Sequence, residues 1–265
     1  MSKSGRRTNR VQRFANSIGR SPCTKKLGSG LNTAYKVCKR NDCTQCSVVK
    51  IGQYIEQQEI YFIKKLEKLT KGTQYANMVT HFQKVVKVDN QMALVTKYTE
   101  NLGDMVSYFD KYTVTVPIMQ SIIFQLFSLL NFLYKKGNFL HMDLKPDNIL
   151  IEPPPSQPTV VLIDYGLSYD GQNYGSVMES KPFNGEVFHP AFDIFRFFDC
   201  MRDLRCSPAV RGYLDTLTNK VMGPIEQYHT KDLYLKTYSM LTPKGLQYLL
   251  SKHPNLDFAM VIARA

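Results

Sequence analysis

The sequence predicts an α+β fold, in which a small N-terminal antiparallel sheet with one helix precedes a larger and mainly helical C-terminal half. Three observations carry this prediction. Four short β-prone runs lie within the first hundred residues, a long apolar helical pattern begins at Pro117, and several short helical patterns fill the chain from Pro190 onward. The chain has 265 residues, of which 43% are hydrophobic, so it can bury a sizeable core.

The N-terminal half alternates β-prone runs with turn signals. The runs cover residues 35–38, 47–51, 82–88 and 92–98, and a polar turn at 39–45 separates the first two. Between the second and third runs, apolar residues from Ile55 to Leu66 recur at roughly helical spacing. This spacing predicts a helix over residues 54–69.

The C-terminal half opens with the longest helical pattern of the chain. Pro117 occupies a first-turn position that suits proline, apolar residues line one face as far as Leu133, and Gly137 ends the helix. So apolar a helix is expected to be buried on most sides. Two short strands follow at 148–151 and 160–163. The loop that joins them is rich in proline, which excludes regular strand pairing of the loop residues.

The net charge is concentrated at the N-terminus. The chain carries +12, and residues 1–26 hold eight Lys and Arg side chains and no acidic one, which is two thirds of that charge. This arm is either a solvated tail or a handle for nucleic acid, acidic proteins or an anionic surface. The longest apolar run, 258–263, is too short for a membrane span. Because no signal peptide is visible, we expect an intracellular protein, in the cytoplasm or the nucleus.

Four of the six cysteines lie close together, at Cys23, Cys38, Cys43 and Cys46. The last pair has the C-x2-C spacing that supplies two zinc ligands, but the other two are poorly spaced and no histidine lies nearby. Reduced cysteines in a strand–turn–strand region are therefore favoured over a zinc site, which stays open. Without a secretory signal, structural disulfides are not expected.

The segment 141–150 concentrates the residues that carry chemistry. Asp143 and Asn148 lie five residues apart on a loop that a proline keeps from becoming helix. Such a loop can direct a carboxylate at an incoming hydroxyl and an amide oxygen at a metal ion. Sixteen residues after Asn148, Asp164 ends an apolar strand and stands two residues before a glycine, which suits a ligand of a divalent cation.

These motifs resemble those of the eukaryotic-type protein kinase family. Residues 141–148, HMDLKPDN, are similar to its H-R-D-x-x-x-x-N catalytic loop, and residues 164–166, DYG, stand where D-F-G is usual. The family also requires a Gly-rich turn about two dozen residues before a strand lysine. Gly28 lies 22 residues before Lys50, which ends a V-V-K run. The resemblance covers roughly residues 25–255.

The resemblance implies a two-lobed protein-kinase-like fold. A flexible basic arm would occupy residues 1–24, an N-lobe of sheet and one helix residues 25–99, and a mainly helical C-lobe residues 100–265. Residues 94–105 are similar to the hinge that joins the two lobes in this family.

The resemblance also implies a nucleotide site. Lys50 would hold the α- and β-phosphates of ATP and pair with a helix glutamate, for which Glu59 fits best, with Glu56 and Glu67 as alternatives. In the hinge, Thr96 would be the gatekeeper, Lys97 and Thr99 would present backbone groups to adenine, and Asp104 would bind the ribose hydroxyls. The full set implied for ATP binding is Leu27, Gly28, Ser29, Gly30, Tyr35, Val48, Lys50, Thr96, Lys97, Thr99 and Asp104.

At the reacting end, the resemblance implies four roles. Asp143 would accept or orient the proton of the substrate hydroxyl, and Lys145 would neutralise charge on the transferred phosphoryl group. Asn148 and Asp164 would bind Mg²⁺, which prefers oxygen ligands. Asp193 resembles the helix aspartate that anchors the catalytic loop, although a plain N-cap role after Pro190 is the alternative.

The sequence departs from the family pattern at several positions. Met142 replaces the arginine of H-R-D, so a phosphate-reading switch at that arginine is not expected. Thr33 replaces the third glycine of the phosphate loop, and Tyr35 replaces the usual valine above the base. The segment from Asp164 to Asp193 spans only 29 residues and contains no threonine, which leaves Ser176 or Ser180 to support Lys145.

Taken together, the motifs predict a magnesium-dependent protein kinase that phosphorylates serine or threonine on protein substrates. The D-L-K-P-x-N run resembles the serine/threonine branch, and the short chain with its basic arm resembles divergent kinases of large DNA viruses. We expect a monomer, located in a host cell or a virion if the origin is viral, with the arm as a nucleic-acid or protein contact. The alternative is a pseudokinase that binds nucleotide without turnover, against which the retention of Lys50, Asp143, Asn148 and Asp164 argues.

Overall fold

The computed structural model describes residues 25–29, 32–39, 42–52, 57–88, 91–173, 189–235 and 240–265. These residues divide into two compact units, one formed by those up to Lys64 with Thr80–Thr99, the other by Lys65–Val79 with Glu100–Ala265. Several predictions concern residues outside the described ranges: the arm at 1–24, Cys23, Gly30, Glu56, Ser176 and Ser180.

The first unit is built on a five-stranded antiparallel sheet in the order β1-β2-β3-β5-β4. The strands are β1 Lys25–Ser29, β2 Asn32–Lys39, β3 Asp42–Gly52, β4 Phe82–Val88 and β5 Gln91–Lys97. The antiparallel sheet expected from the sequence is therefore present. A fifth strand, β1, joins it because the Gly-rich segment pairs with β2 as an extended chain, with an irregularity at Leu27.

One face of this sheet forms the core of the first unit. Side chains of three adjacent strands alternate between the two faces, and those on the core face are Tyr35, Val37, Val49, Ile51, Ala93 and Val95. Each of these residues is at most 6% exposed. The intervening residues, Lys50 among them, lie on the opposite face.

A disulfide joins β2 to β3, between Cys38 and Cys46. The two residues are direct cross-strand partners, so the antiparallel register brings their side chains together. Cys43 is also disulfide-bonded. The prediction of reduced cysteines was therefore wrong, and these three cysteines have no thiolate to offer zinc. The predicted turn at 39–45 is also shorter, because the paired strands extend to Lys39 and resume at Asp42.

Helix α1, Gln57–Thr70, is the single helix expected within the N-terminal half. It ends one residue later than predicted, and the predicted positions 54–56 lie outside the described residues. Its apolar stripe of Phe62, Ile63 and Leu66 is buried, as the helical spacing requires. Glu59 lies in its first turn, where a carboxylate is favoured by the helix dipole.

The second unit is mainly helical. Its helices are α2 Met105–Lys111, α3 Val116–Gly137, α4 Ala191–Met201, α5 Pro208–Met222, α6 Pro243–Lys252 and α7 Phe258–Arg264, with short 3₁₀ turns at Pro146–Asn148 and Ile225–Tyr228. Two small hairpins complete it: β6 Ile149–Glu152 with β7 Thr159–Leu162, and β8 Tyr234–Leu235 with β9 Met240–Leu241. Helix α2 is an element that the sequence pattern did not predict.

Helix α3 forms the core of the second unit. Eight of its side chains, from Met119 to Leu133, are buried. Among the described residues, it is the one helix long and apolar enough to cross a membrane, a criterion that buried core helices also meet. Asn138, with φ 51°, caps its C-terminus in place of Gly137. A Cβ at Gly137 would lie 2.7 Å from Leu69 Cδ1, so the Leu69 side chain would have to shift.

Candidate active site

Helix α4 carries buried charged side chains toward the loop that precedes β6. Asp193 is fully buried, and its two carboxylate oxygens each accept a hydrogen bond at 2.7 Å, from the backbone N–H groups of His141 and Met142. Burial raises the pKa of the Asp193 carboxyl, while the hydrogen bonds from the two backbone N–H groups act in the opposite direction. Asp193 therefore anchors this loop and is not the N-cap of α4, a position that Pro190 occupies.

The loop is held in a strained backbone conformation. Met142 has φ 64°, a left-handed value that is uncommon for a residue with a side chain. It is also 1% exposed, so surrounding packing and the hydrogen bond to Asp193 hold it there. Such strain is found where a fold must aim the following side chain, which here is Asp143.

His141 supports the loop from beneath. Its ring is fully buried, with Nε2 2.9 Å from the carbonyl oxygen of Ile163. Nδ1 accepts a hydrogen bond from the backbone N–H of Asp143 at 3.3 Å, which places the ring proton on Nε2. Both ring nitrogens of His141 thus make structural contacts, and these contacts join the loop to the end of β7.

The carboxylate of Asp143 is the centre of the site. Oδ2 accepts hydrogen bonds from Lys145 Nζ at 2.8 Å and from Asn148 Nδ2 at 3.1 Å. Oδ1 accepts one from Arg196 Nη2 at 2.9 Å. The Asp143 side chain is 16% exposed, so it remains within reach of a partner from outside. The structure thus brings together Asp143, Lys145 and Asn148, which the sequence placed on one loop, and adds Arg196 from α4.

Asn148 and Asp164 lie at connected positions of the backbone. Asn148 Nδ2 donates to the carbonyl oxygen and the carboxylate of Asp143, so its Oδ1 is the atom left to act as a ligand. The backbone N–H of Ile163 donates to the carbonyl of Asn148 at 3.0 Å, which ties the residue before Asp164 to the loop. Asp164 is exposed and has φ 62°.

This donor set fits Mg²⁺ bound together with phosphate. Magnesium is commonly held by one or two protein oxygens while substrate phosphates and water complete the octahedron. Among the described residues, no group of three or more His, Cys, Asp or Glu side chains could hold a metal alone. One amide oxygen and one carboxylate therefore suit an ion that arrives with a nucleotide, rather than a permanent metal site.

Tyr165 fastens the chain directly after Asp164. Its ring is fully buried and makes edge contacts with Phe139 and His141, at centroid distances of 6.0 and 5.8 Å. Its hydroxyl donates to the carbonyl of Leu162. The residue between Asp164 and Gly166 is thus packed against the histidine of the loop, which fixes where the carboxylate leaves the strand.

In the first unit, Lys50 pairs with Glu59. Nζ and Oε1 lie 2.8 Å apart, and the side chains are 19% and 4% exposed. Of the glutamates considered from the sequence, Glu59 and Glu67 lie among the described residues, and Glu59 is in contact with Lys50. The pair joins β3 to α1, and it holds the ammonium group of Lys50 beside a carboxylate that is shielded from solvent.

The face of the sheet that carries Lys50 also carries Val48 and Thr96. Val48 lies two residues before Lys50 on β3, and Thr96 is its direct partner on β5. Tyr35 is different. It pairs with Val49 and belongs to the buried core on the other face, so the structure separates it from the Lys50 side chain. Tyr35 is paired with the residue next to Lys50 rather than with Lys50 itself, and neighbouring positions of a strand point to opposite faces.

The remaining predicted nucleotide residues have identifiable local roles. Leu27, Gly28 and Ser29 belong to β1, where Gly28 and Ser29 pair with Ala34 and Thr33. The N–H of Lys97 donates to the carbonyl of His81, so only the Lys97 carbonyl can serve adenine, whereas Thr99 lies just beyond β5. Asp104 is the N-cap of α2, accepting from the N–H of Ser107 at 2.7 Å.

Comparison with known proteins shows to which family the chain belongs. The family model described as "Protein kinase domain" matches residues 23–185, which is more than half of the chain. The chain belongs to the protein kinase family. No curated protein matches it.

The fold agrees with this assignment. The crystal structure of the PF14_0431 kinase domain is similar to this kinase with a TM-score of 0.53 and 14% sequence identity. The match covers 90% of this chain and 84% of that one. At such low identity the likeness concerns the fold alone. Helix α4, with Asp193 and Arg196, lies beyond residue 185, where the family match ends.

Sequence reasoning missed two sets of residues in this kinase. Arg196 stands three residues after Asp193, a spacing that places both on one face of a helix and was a usable signal. Lys65 donates to Asp170 Oδ2 at 2.6 Å and to the carbonyl of Gly137 at 3.0 Å. That contact joins residues more than seventy positions apart, and no local pattern predicts it.

Proposed function

We propose that this kinase transfers the γ-phosphoryl group of ATP to serine or threonine hydroxyls of protein substrates, with Mg²⁺ as cofactor. The observation that carries the proposal is the environment of Asp143. Its carboxylate stands on a loop anchored by Asp193 and contacts the ammonium of Lys145 at 2.8 Å. A base and a cation on one rigid loop are what phosphoryl transfer to a hydroxyl requires.

In the proposed reaction, Asp143 accepts the proton of the substrate hydroxyl. The hydroxyl oxygen forms a bond to the γ-phosphorus while the bond from that phosphorus to the β–γ bridging oxygen breaks, and ADP leaves with the electron pair. Lys145, whose side chain is 31% exposed, turns from Asp143 to the transferred group and offsets its negative charge. The barrier falls through positioning and electrostatics, since no covalent intermediate with the protein is needed.

The nucleotide is held by charged and oxygen groups of the chain. Lys50, kept in place by Glu59, holds the α- and β-phosphates, and Val48 and Thr96 lie on the same face of the sheet. Asn148 Oδ1 and the Asp164 carboxylate are the ligands of Mg²⁺, which neutralises charge on the phosphate oxygens when bound. The role of Asp104 on ribose uses the carboxylate oxygen that does not cap α2.

Specificity for serine and threonine rests on the D-L-K-P-x-N run of residues 143–148. In this run Lys145 lies two residues after Asp143 and reaches its carboxylate in the structure. No observation favours the pseudokinase alternative, because each of the four charged or metal-binding side chains is present. Viral origin, with an intracellular location in the host, is part of the same proposal and rests on the basic arm and on Met142 in place of the arginine of H-R-D.

The deciding experiment is incorporation of labelled phosphate from ATP into a mixture of peptides that carry serine, threonine or tyrosine. Asp143→Asn keeps the shape and removes the base, so we expect kcat to fall by about 10²- to 10⁴-fold. Label on serine and threonine peptides but not on tyrosine supports the proposed specificity. Equal incorporation by wild type and Asp143→Asn would contradict the enzymatic function, and label on tyrosine would contradict the specificity.

A further inference from the structure

Arg196 is a buried cation on α4 whose presence needs an explanation. The residue is 7% exposed, and burying a guanidinium costs several kcal/mol unless it is paired and hydrogen-bonded. Its Nη2 donates to Asp143 Oδ1 at 2.9 Å. Arg196 is therefore a buried cation that contacts the proposed base of the reaction. It lies outside residues 23–185, the segment that the family model matches.

The two oxygens of Asp143 have different partners. Oδ2 contacts Lys145 and Asn148, both on the same loop, while Oδ1 contacts Arg196 from another element. The side chain of Lys145 is 31% exposed, whereas that of Arg196 is 9% exposed. When Lys145 turns to the phosphoryl group, Arg196 is the charged partner that stays, because it is enclosed.

Helix α4 therefore grips the loop at two successive points. Asp193 accepts from the backbone of His141 and Met142, and Arg196, one helical turn later, donates to the side chain of Asp143. The first contact fixes the loop backbone in its left-handed conformation at Met142. The second contact restricts the side-chain torsion angles of Asp143 and so fixes the orientation of its carboxylate.

We propose that Arg196 is a positioning residue that orients the carboxylate of Asp143 for proton transfer. This rests on the proposed kinase function. Misplacing a reacting group by about 1 Å can cost roughly 10²-fold in rate, so loss of Arg196 should act on kcat. Nucleotide affinity should be spared, because Lys50 and Glu59 form a separate pair in the first unit.

The test compares Arg196→Gln and Arg196→Lys with wild type, using peptide phosphorylation by the full chain. Arg202→Gln is the matched control, since Arg202 lies at the end of the same helix and pairs with Glu226 and Asp199 instead. We expect Arg196→Gln to lower kcat about 30- to 100-fold with the KM for ATP within about twofold. Arg196→Lys should recover at least about fivefold, because it keeps the charge. The control should retain wild-type kcat.

A double-mutant cycle separates positioning from general structural damage. If Arg196 acts through Asp143, Arg196→Gln should change the residual rate of Asp143→Asn by less than about twofold. An equal loss in both backgrounds, an unchanged kcat in Arg196→Gln, or a rise in KM without a fall in kcat would overturn the proposal. If the Gln variant does not fold, the same cycle with Arg196→Lys decides, because a lysine cannot reproduce the planar guanidinium geometry.

The failure of the kinase function would look different. A wild type no more active than Asp143→Asn removes the function and with it the role of Arg196. An active wild type with an unchanged Arg196→Gln removes the role of Arg196 alone. Urea unfolding of the four proteins of the cycle (wild type, Arg196→Gln, Asp143→Asn and the double variant) measures whether residues 143 and 196 are energetically coupled. This readout does not depend on activity.

Discussion

At the scale of single residues, the site depends on carboxylates whose partners are chosen by burial. Asp193 and Glu59 are 0% and 3% exposed and Asp143 is half-buried, and the carboxylate of each accepts hydrogen bonds from neighbouring donors. A buried carboxylate is costly without such partners, so each one marks a position that the fold must hold closely. The three differ in what they contact: Asp193 binds a loop backbone, Glu59 binds the ammonium of Lys50, and Asp143 binds the side chains around it.

The pairing of Lys50 gives a direct prediction. Glu59→Gln should lower kcat/KM for ATP by about 10- to 100-fold, because a hydrogen bond to a charged group contributes about 1.5–3 kcal/mol. Glu67→Gln on the same helix is the control and should leave kcat/KM unchanged, since Lys50 contacts Glu59. Steady-state kinetics with ATP varied measures both. A greater loss in Glu67→Gln would show that the pairing is assigned to the wrong glutamate.

Cys200 on α4 provides a prediction about pH. Burial raises the pKa of its thiol to about 11, so the thiolate is a minor species at neutral pH. Its alkylation rate should rise about tenfold for each pH unit between 7 and 10, because the thiolate fraction does so below the pKa. Mass spectrometry after timed iodoacetamide treatment of the folded protein measures the rate. A plateau below pH 9 would contradict the raised pKa.

At the scale of elements, α1 and α3 are joined by one lysine. Lys65 reaches the carbonyl of Gly137 at the end of α3 and the carboxylate of Asp170, whose side chain is 2% exposed. Asp170 also accepts from the backbone of Gln172 and Asn173, so it is the organising group of the turn after β7. The contact fixes the last half of α1 within the second unit.

Lys65→Met should destabilise the protein by about 1–3 kcal/mol, because it removes the ammonium partner of a buried carboxylate. The cost is below that of a fully buried pair, since the Lys65 side chain is 22% exposed. Lys244→Met is the control, because its pair with Asp232 is 71% and 73% exposed and should contribute at most about 0.5 kcal/mol. Urea denaturation followed by circular dichroism gives both values. Equal effects would show that Lys65 has no special role.

The elements also show which contacts local sequence can predict. Strands β2 to β7, α1 and α3 follow from sequence pattern, whereas β1, β8 and β9 do not. Asp143 and Asn148 follow from a motif within eight residues. The contact of Arg196 with Asp143 spans 53 positions, and it exists only because α4 packs beneath the loop. Tyr35 was placed beside Lys50 by motif alignment, but the strand register assigns it to the core. The Cys38–Cys46 disulfide likewise follows from register, which composition does not reveal.

At the scale of the whole molecule, the net charge is concentrated in one segment of the sequence. Residues 1–26 hold eight basic side chains and no acidic one, which is two thirds of the net charge. We therefore predict that the arm governs partner choice or location, while phosphoryl transfer depends on the two units. The arm is the one strongly basic segment of the sequence, so any nucleic-acid contact should depend on it.

Replacing five arginines of the arm by glutamine in the full chain tests this division. The positions are Arg6, Arg7, Arg10, Arg13 and Arg20. Peptide phosphorylation should stay within about twofold of wild type, whereas the salt dependence of nucleic-acid binding should weaken by up to about 0.9 in the log–log slope per charge removed. Loss of phosphorylation would show that the arm belongs to the catalytic machinery. An unchanged salt slope would exclude it as the nucleic-acid contact.

The anchoring of the catalytic loop by α4 bears on where this kinase can be cut. Asp193 and Arg196 come after residue 185, where the match to the family model ends. A fragment trimmed to that boundary would keep Asp143, Lys145 and Asn148, yet it would lose both side chains that hold them in position. A shortened version of this kinase made for expression or library design must therefore extend beyond Met201, the last residue of α4.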